Sequence, residues 1–199
     1  MIRILALLLP YPAIGLGLFV FQNGWIAIGF YHIGMLSFLI ADRRRPPFRQ
    51  LFTGWNKIWS GLLPFSAMSG LLIYLLWPFM QQFNLDSRLV RYGLTGESWR
   101  IFMLYYILFN PPLEEYYWRG YLGHPADRVR PEDFAFAGYH FFTMICFVQW
   151  HWGLISFVIL TFTAWLWRQT VRRTGGILIP MLAHFAADVS IIWVVNMLR

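Results

Sequence analysis

Seven apolar runs, most of them close to 20 residues long, recur along this chain and leave most of its charges to the short segments between them. About 20 consecutive apolar residues are what a helix needs to cross the hydrocarbon of a bilayer. Lipid offers no partner to an unpaired backbone group, so a segment that crosses must be helical or part of a closed barrel. The runs predict spans over residues 4–22, 25–41, 58–83, 99–121, 133–150, 153–171 and 176–198. The expected fold class is therefore all-α, a polytopic transmembrane helix bundle with about seven spans. Composition agrees, because 58% of the residues are hydrophobic and only 13% are charged, whereas a soluble domain carries about a quarter charged. The first run resembles a signal peptide, but no small-x-small cleavage site follows Phe21-Gln22-Asn23-Gly24. It is expected to persist as the first span.

The net charge of +7 comes from 16 basic residues against nine acids. On a soluble fold such a balance would raise the question of nucleic acid; here the arginines sit in short loops between spans, and nucleic acid is excluded as a partner. Counting them gives the orientation. An inside N-terminus puts Arg3, Arg43–Arg45, Arg49, Lys57, Arg119, Arg128, Arg130, Arg168, Arg172 and Arg173 on the cytoplasmic side. Only Arg88, Arg91, Arg100 and Arg199 fall on the other. The positive-inside rule favours this arrangement, and the expected location is a bacterial inner (cytoplasmic) membrane. The Arg43–Arg45 run is expected to fix topology and to meet anionic headgroups. The lone Cys146 excludes an internal disulfide framework and reads as a small buried hydrophobe. Trp25, Trp99, Trp150 and Trp152 fall near predicted span ends, as in aromatic belts.

Ionisable side chains inside a membrane are costly and usually functional. Glu114, Glu115 and Asp188 lie within spans, as do His32, His140 and His184. Asp133 and the remaining acids fall in loops or at span ends. Glu114 comes shortly before the inner end of the fourth span, and His140 and His184 come a similar distance into the fifth and seventh. At 1.5 Å per residue all three lie on the order of 10–12 Å below the same face. Asn110-Pro111-Pro112 is expected to break the fourth span, with Asn110 capping a renewed helix whose first turns carry the two glutamates. Glu115 and Arg119 are four residues apart and share a face. Glu114 points about 100° away and is left free to act as a base. His184 and Asp188 share a face in the same way. His32 is read as packing or a helix contact, Phe136 as packing, and His151 as a boundary residue.

These residues fall into three motifs: Glu-Glu-x-x-x-Arg at 114–119, Phe-x-x-x-His at 136–140 and His-x-x-x-Asp at 184–188. Together they resemble the CPBP family, which contains CAAX-type prenyl-protein endopeptidases and bacteriocin-processing or immunity-related membrane proteins. The resemblance covers about residues 105–192. It implies a metal-independent, glutamic-type intramembrane endopeptidase without a cofactor. Carried over, Glu114 would activate water, His140 would hold and polarise it, and His184 with residue 188 would stabilise the oxyanion. Glu115 and Arg119 would support the site. Many members carry Asn where this chain has Asp188; an ionised Asp would repel an oxyanion, so orientation of His184 is its expected role.

The domain organisation that follows is an N-terminal transmembrane hairpin over 1–41, then a basic cytoplasmic loop, third span and external loop over 42–98, and a CPBP-like catalytic core of four spans over 99–199. The expected partners are the lipid bilayer and a protein or peptide substrate in the membrane, cleaved near one terminus. Three other readings stand beside this one. A zinc protease would use the same residue types, although His-Glu-x-x-His is absent. A non-catalytic immunity or binding protein would keep the fold, and a transporter would use buried Glu and His for its path. Oligomeric state and substrate identity are not encoded in anything legible here.

Overall fold

The computed structural model describes residues 2–42 and 45–199. Met1, Arg43 and Arg44 lie outside it, so most of the basic run expected to set topology falls outside the described residues. The chain is all-helical, and no strand occurs among the described residues; one isolated antiparallel bridge pairs Gln81 with Val148.

Five helical stretches are long and apolar enough to cross a membrane: Ile2–Val20, Gly24–Ala41, Trp59–Met80, Trp150–Thr174 and Leu178–Leu198. These stretches fit an integral membrane protein, and so do the large apolar side chains exposed along them, among them Ile33, Phe65, Val158 and Trp193. The first stretch comprises α1 (Ile2–Leu8), α2 (Pro10–Gly15) and a wider π turn over Leu16–Val20. Asn23 ends that hairpin by accepting the amides of Trp25 and Ile26, which caps α3 (Gly24–Ala41). Then come α4 (Leu62–Met80) and the short α5 (Leu85–Arg91), which lies within the polar stretch expected to be a loop.

The other two expected spans are not among the five. The fourth became α6 (Gly96–Glu115), continued by a π-helical segment over Tyr116–Tyr121. The fifth is α7 (Pro131–Met144), 14 residues long and short of the roughly 20 a crossing needs. Both carry the polar groups described below. Two long helices follow, α8 (Trp150–Thr174) and α9 (Leu178–Leu198). Gly175, at φ 74°, ends α8 in the left-handed conformation glycine adopts without a Cβ clash.

The expected break at Asn110-Pro111-Pro112 does not occur. Helix α6 runs through both prolines to Glu115. Two missing amides withdraw the partners of two carbonyls one turn earlier, but the surrounding helices hold the axis, and the irregularity appears later, as the π segment after the glutamates. Asn110 is not a cap; it is 1% exposed and its side chain bonds to neighbouring helices. Glu114 and Glu115 thus close a long helix rather than open a new one, and no N-terminal dipole acts on them.

Helix α4 packs along α9, α7 along α8, and α6 against α9 and α3, with α2 against α3 and α7. Small residues allow the closest approach: a Cβ at Gly70 would collide with the Ser190 carbonyl, and the Gly70 amide donates to Ser190 Oγ at 3.1 Å. At the arginine-rich end, Arg168 is turned inward. It is 3% exposed, and it donates to both oxygens of Asp133 at 3.0 and 2.7 Å. It also donates to the carbonyls of His124, Ala126 and Arg128. Arg168 and Asp133 therefore form a buried clasp on the 122–130 loop. Trp99 is turned inward too, being 3% exposed with its indole N–H donated to Asn196, whereas Trp150 is exposed as a belt residue would be.

Candidate active site

The end of α6, the middle of α7 and the first half of α9 meet in the interior, and the sequence motifs are what they bring together. Glu114 is 1% exposed and Glu115 0%, both turned inward. Their adjacency on the helix sends them to different partners. Glu115 pairs with Arg119 Nε at 3.2 Å, as the four-residue spacing predicts, and also accepts from His184 Nδ1 at 2.8 Å. Glu114 accepts the hydroxyl of Tyr139 on Oε1. Its Oε2 lies 3.6 Å from His184 Nε2 and has no hydrogen-bond partner among the described residues.

Both imidazoles have readable tautomers. The Phe136 carbonyl lies 2.8 Å from His140 Nδ1 and can only accept, so Nδ1 carries the proton. In the neutral ring Nε2 is then an acceptor, and it lies 3.3 Å from the Tyr139 hydroxyl. In His184, Nδ1–H donates to Glu115, and Nε2 faces Glu114 and Asp188, each at 3.6 Å. Three carboxyl groups thus surround one histidine, and the Arg119 guanidinium pairs with one of them.

Asp188 is 7% exposed, and its second oxygen accepts from Asn110 Nδ2 at 3.4 Å. Asn110 Oδ1 lies 3.2 Å from His32 Nε2, and His32 Nδ1 lies 2.7 Å from the Tyr105 hydroxyl. His32 is thus the α3–α6 contact its isolation suggested, and it also extends a polar chain to Asp188. Phe136 is packed, 2% exposed, with the Arg119 guanidinium 4.1 Å from its ring centre and the His140 ring at 4.6 Å. Trp167 closes the other side of Arg119 and stacks beside His184. His151 is exposed at the start of α8.

The candidates singled out from sequence therefore converge: Glu114 and Asp188 each approach His184, Glu115 joins His184 to Arg119, and His140 joins through Tyr139. Sequence reasoning missed Tyr139, which touches both Glu114 and His140. It missed Tyr31 too, whose hydroxyl accepts from Trp118 at 2.8 Å and lies beside the Glu114 carboxyl. Two tyrosines in a chain that is 20% aromatic give no signal of their own. The link from Glu115 to His184 was also unseen, because it crosses 69 residues of sequence.

Compared with known families, residues 96–190 match the family described as type II CAAX prenyl endopeptidase Rce1-like. Over that segment the chain is similar to the Rce1-like CAAX protease family. The match runs from α6 into α9 and contains every candidate residue, in agreement with the CPBP resemblance read from the three motifs. That similarity points to a protease, a hydrolase, and the apolar helices fit one in a membrane. No curated protein and no solved structure matches the chain. Among the described residues no group of three or more His, Cys, Asp or Glu is arranged to hold a metal ion.

Proposed function

We propose that this chain is a glutamic-type intramembrane endopeptidase, metal-independent and without cofactor, that hydrolyses a peptide bond near one terminus of a membrane-associated or exported protein or peptide. The observation that carries the reading is the asymmetry of Glu114: Tyr139 anchors one oxygen, while the other is unpartnered, buried and turned toward His184. A general base needs both features, a fixed position and a free lone pair within reach of its proton.

In this reading a water sits between Glu114 Oε2 and the acceptor Nε2 of His140. Glu114 takes its proton as the oxygen attacks the carbonyl carbon. In this step His184 is the doubly protonated imidazolium held among three carboxyl groups. The developing oxyanion meets its Nε2–H while Glu115 fixes the ring through Nδ1–H; a preorganised donor at that point lowers the barrier strongly. Glu114 then returns the proton to the leaving amine, so peptide and water become a carboxylic acid and an amine. Asp188 orients His184 and holds Asn110, which suits an acid where many relatives of the motif carry Asn.

The chain would lie in the bacterial inner membrane with its N-terminus and its arginine-rich end in the cytoplasm, α6 and α7 completing about seven crossings around the site. Residues 99–199 would form the catalytic core, behind the 1–41 hairpin and the 42–98 connection. The test compares protein termini in membrane and exported fractions from cells expressing the wild type or Glu114→Gln at equal abundance. A defined set of termini present only with the wild type supports the reading; identical sets overturn it.

A further inference from the structure

A cavity of about 10 Å³ lies where the π-helical segment meets the start of α7 and the middle of α8. Trp118, Arg119, Glu132, Phe136 and Ala164 are among the residues that line it. That volume is about what one water occupies, provided the walls supply several polar partners. The walls do. Arg119 has its side chain 3% exposed and spends Nε on Glu115, and neither Nη1 nor Nη2 has a hydrogen-bond partner among the described residues. Glu132 Oε2 is buried and unpartnered in the same sense, with Arg130 Nε 3.8 Å away, beyond hydrogen-bond length. Two donors and an acceptor around a space of one water's size form a site for water, not for an ion or an apolar group.

The cavity also has a position. At one end, the Glu132 and Arg130 side chains are 21% and 28% exposed at the arginine-rich end of the bundle. At the other, Arg119 contacts Glu115, Glu115 contacts His184, and His184 faces Glu114. Glu114 Oε2 continues the series as a buried oxygen without a hydrogen-bond partner among the described residues. We propose that the cavity beside Arg119 is a built water site bridging Arg119 to Glu132, and that it is the station through which hydrolytic water reaches Glu114. The delivery role rests on the proposed hydrolysis, which consumes one water per bond cleaved; the water site itself does not.

X-ray hydroxyl-radical footprinting of the full chain in nanodiscs tests both parts, because bound water oxidises the side chains it touches. Trp118 and Trp99 are each 3% exposed, and only Trp118 lines the cavity. Trp118 should label severalfold faster than Trp99. Ala164→Val, which places carbon in the cavity, should bring Trp118 down to the Trp99 level. It should also slow the appearance of cleavage termini by about tenfold. Glu132→Leu removes the polar wall from a partly exposed position and should give the same result if the valine variant does not fold. Equal labelling of the two tryptophans in the wild type overturns the water site, whether or not the protein cleaves anything. Lost labelling with undiminished cleavage overturns the delivery role alone. Labelling that persists while Glu114→Gln leaves all termini unchanged overturns the protease reading and leaves the water site standing.

Discussion

His184 donates its Nδ1–H to Glu115 Oε1 at 2.8 Å, and the same carboxylate pairs with Arg119 Nε at 3.2 Å. One acid therefore does two things: it balances a buried guanidinium, and it fixes which nitrogen of His184 faces Glu114. Orientation of an imidazole by a carboxylate on its far nitrogen is a recurrent arrangement at hydrolytic centres.

The two tasks separate by mutation. Glu115→Gln leaves Arg119 buried without a counter-charge and should cost about 3–5 kcal/mol of stability. Glu115→Gln combined with Arg119→Met removes both charges and should recover most of that loss. It should not recover cleavage, because His184 stays without its carboxylate. Thermal unfolding in detergent, read beside release of cleavage termini, checks both halves.

Tyr139 gives the second prediction. Tyr139→Phe keeps the ring that stacks 5.9 Å from Trp118 and 4.1 Å from His140, and deletes only the hydroxyl that anchors Glu114. A hydrogen bond to a charged group is worth about 1.5–3 kcal/mol. If that anchoring acts in the transition state, cleavage should fall by roughly tenfold to a hundredfold. Thermal stability should change much less than the rate.

Arg168 gives the third. Arg168→Ala leaves Asp133 buried and releases three loop carbonyls, which should destabilise the protein by about 3–5 kcal/mol and free the 122–130 loop. Limited trypsin digestion should then cut after Arg128 in the variant much faster than in the wild type. Equal digestion would show that the clasp does not hold the loop.

Metal independence gives the fourth. Cleavage should persist undiminished after strong chelation and dialysis, and added zinc should not raise it. Loss on chelation with recovery on zinc would return the zinc reading, in which Glu114 and the histidines serve as ligands.

Much of the architecture was legible because bilayer length and helical period are local properties. The runs at 4–22, 25–41, 58–83, 153–171 and 176–198 all became long helices. The runs at 99–121 and 133–150 were read as spans from their apolar content, yet the first carries Asn110, Glu114 and Glu115, and the second forms a helix of only 14 residues. Motif spacing showed the Glu115–Arg119 pair, since that contact spans one helical turn. It did not show His184 on Glu115 or Arg168 on Asp133, which depend on how α9 and α8 rotate against their neighbours. The proline pair misled for a related reason: Pro111 and Pro112 each weaken a helix locally, and tertiary packing carried α6 through them.

The central claim is that Glu114 activates water for peptide hydrolysis. It is tested most directly by adding the purified chain, in nanodiscs, to membranes from cells that lack it, in water enriched in oxygen-18. The account predicts new carboxyl termini that each carry one heavy oxygen with the wild type, and none with Glu114→Gln. Labelled termini appearing equally with Glu114→Gln, or no new termini with either protein, would contradict it.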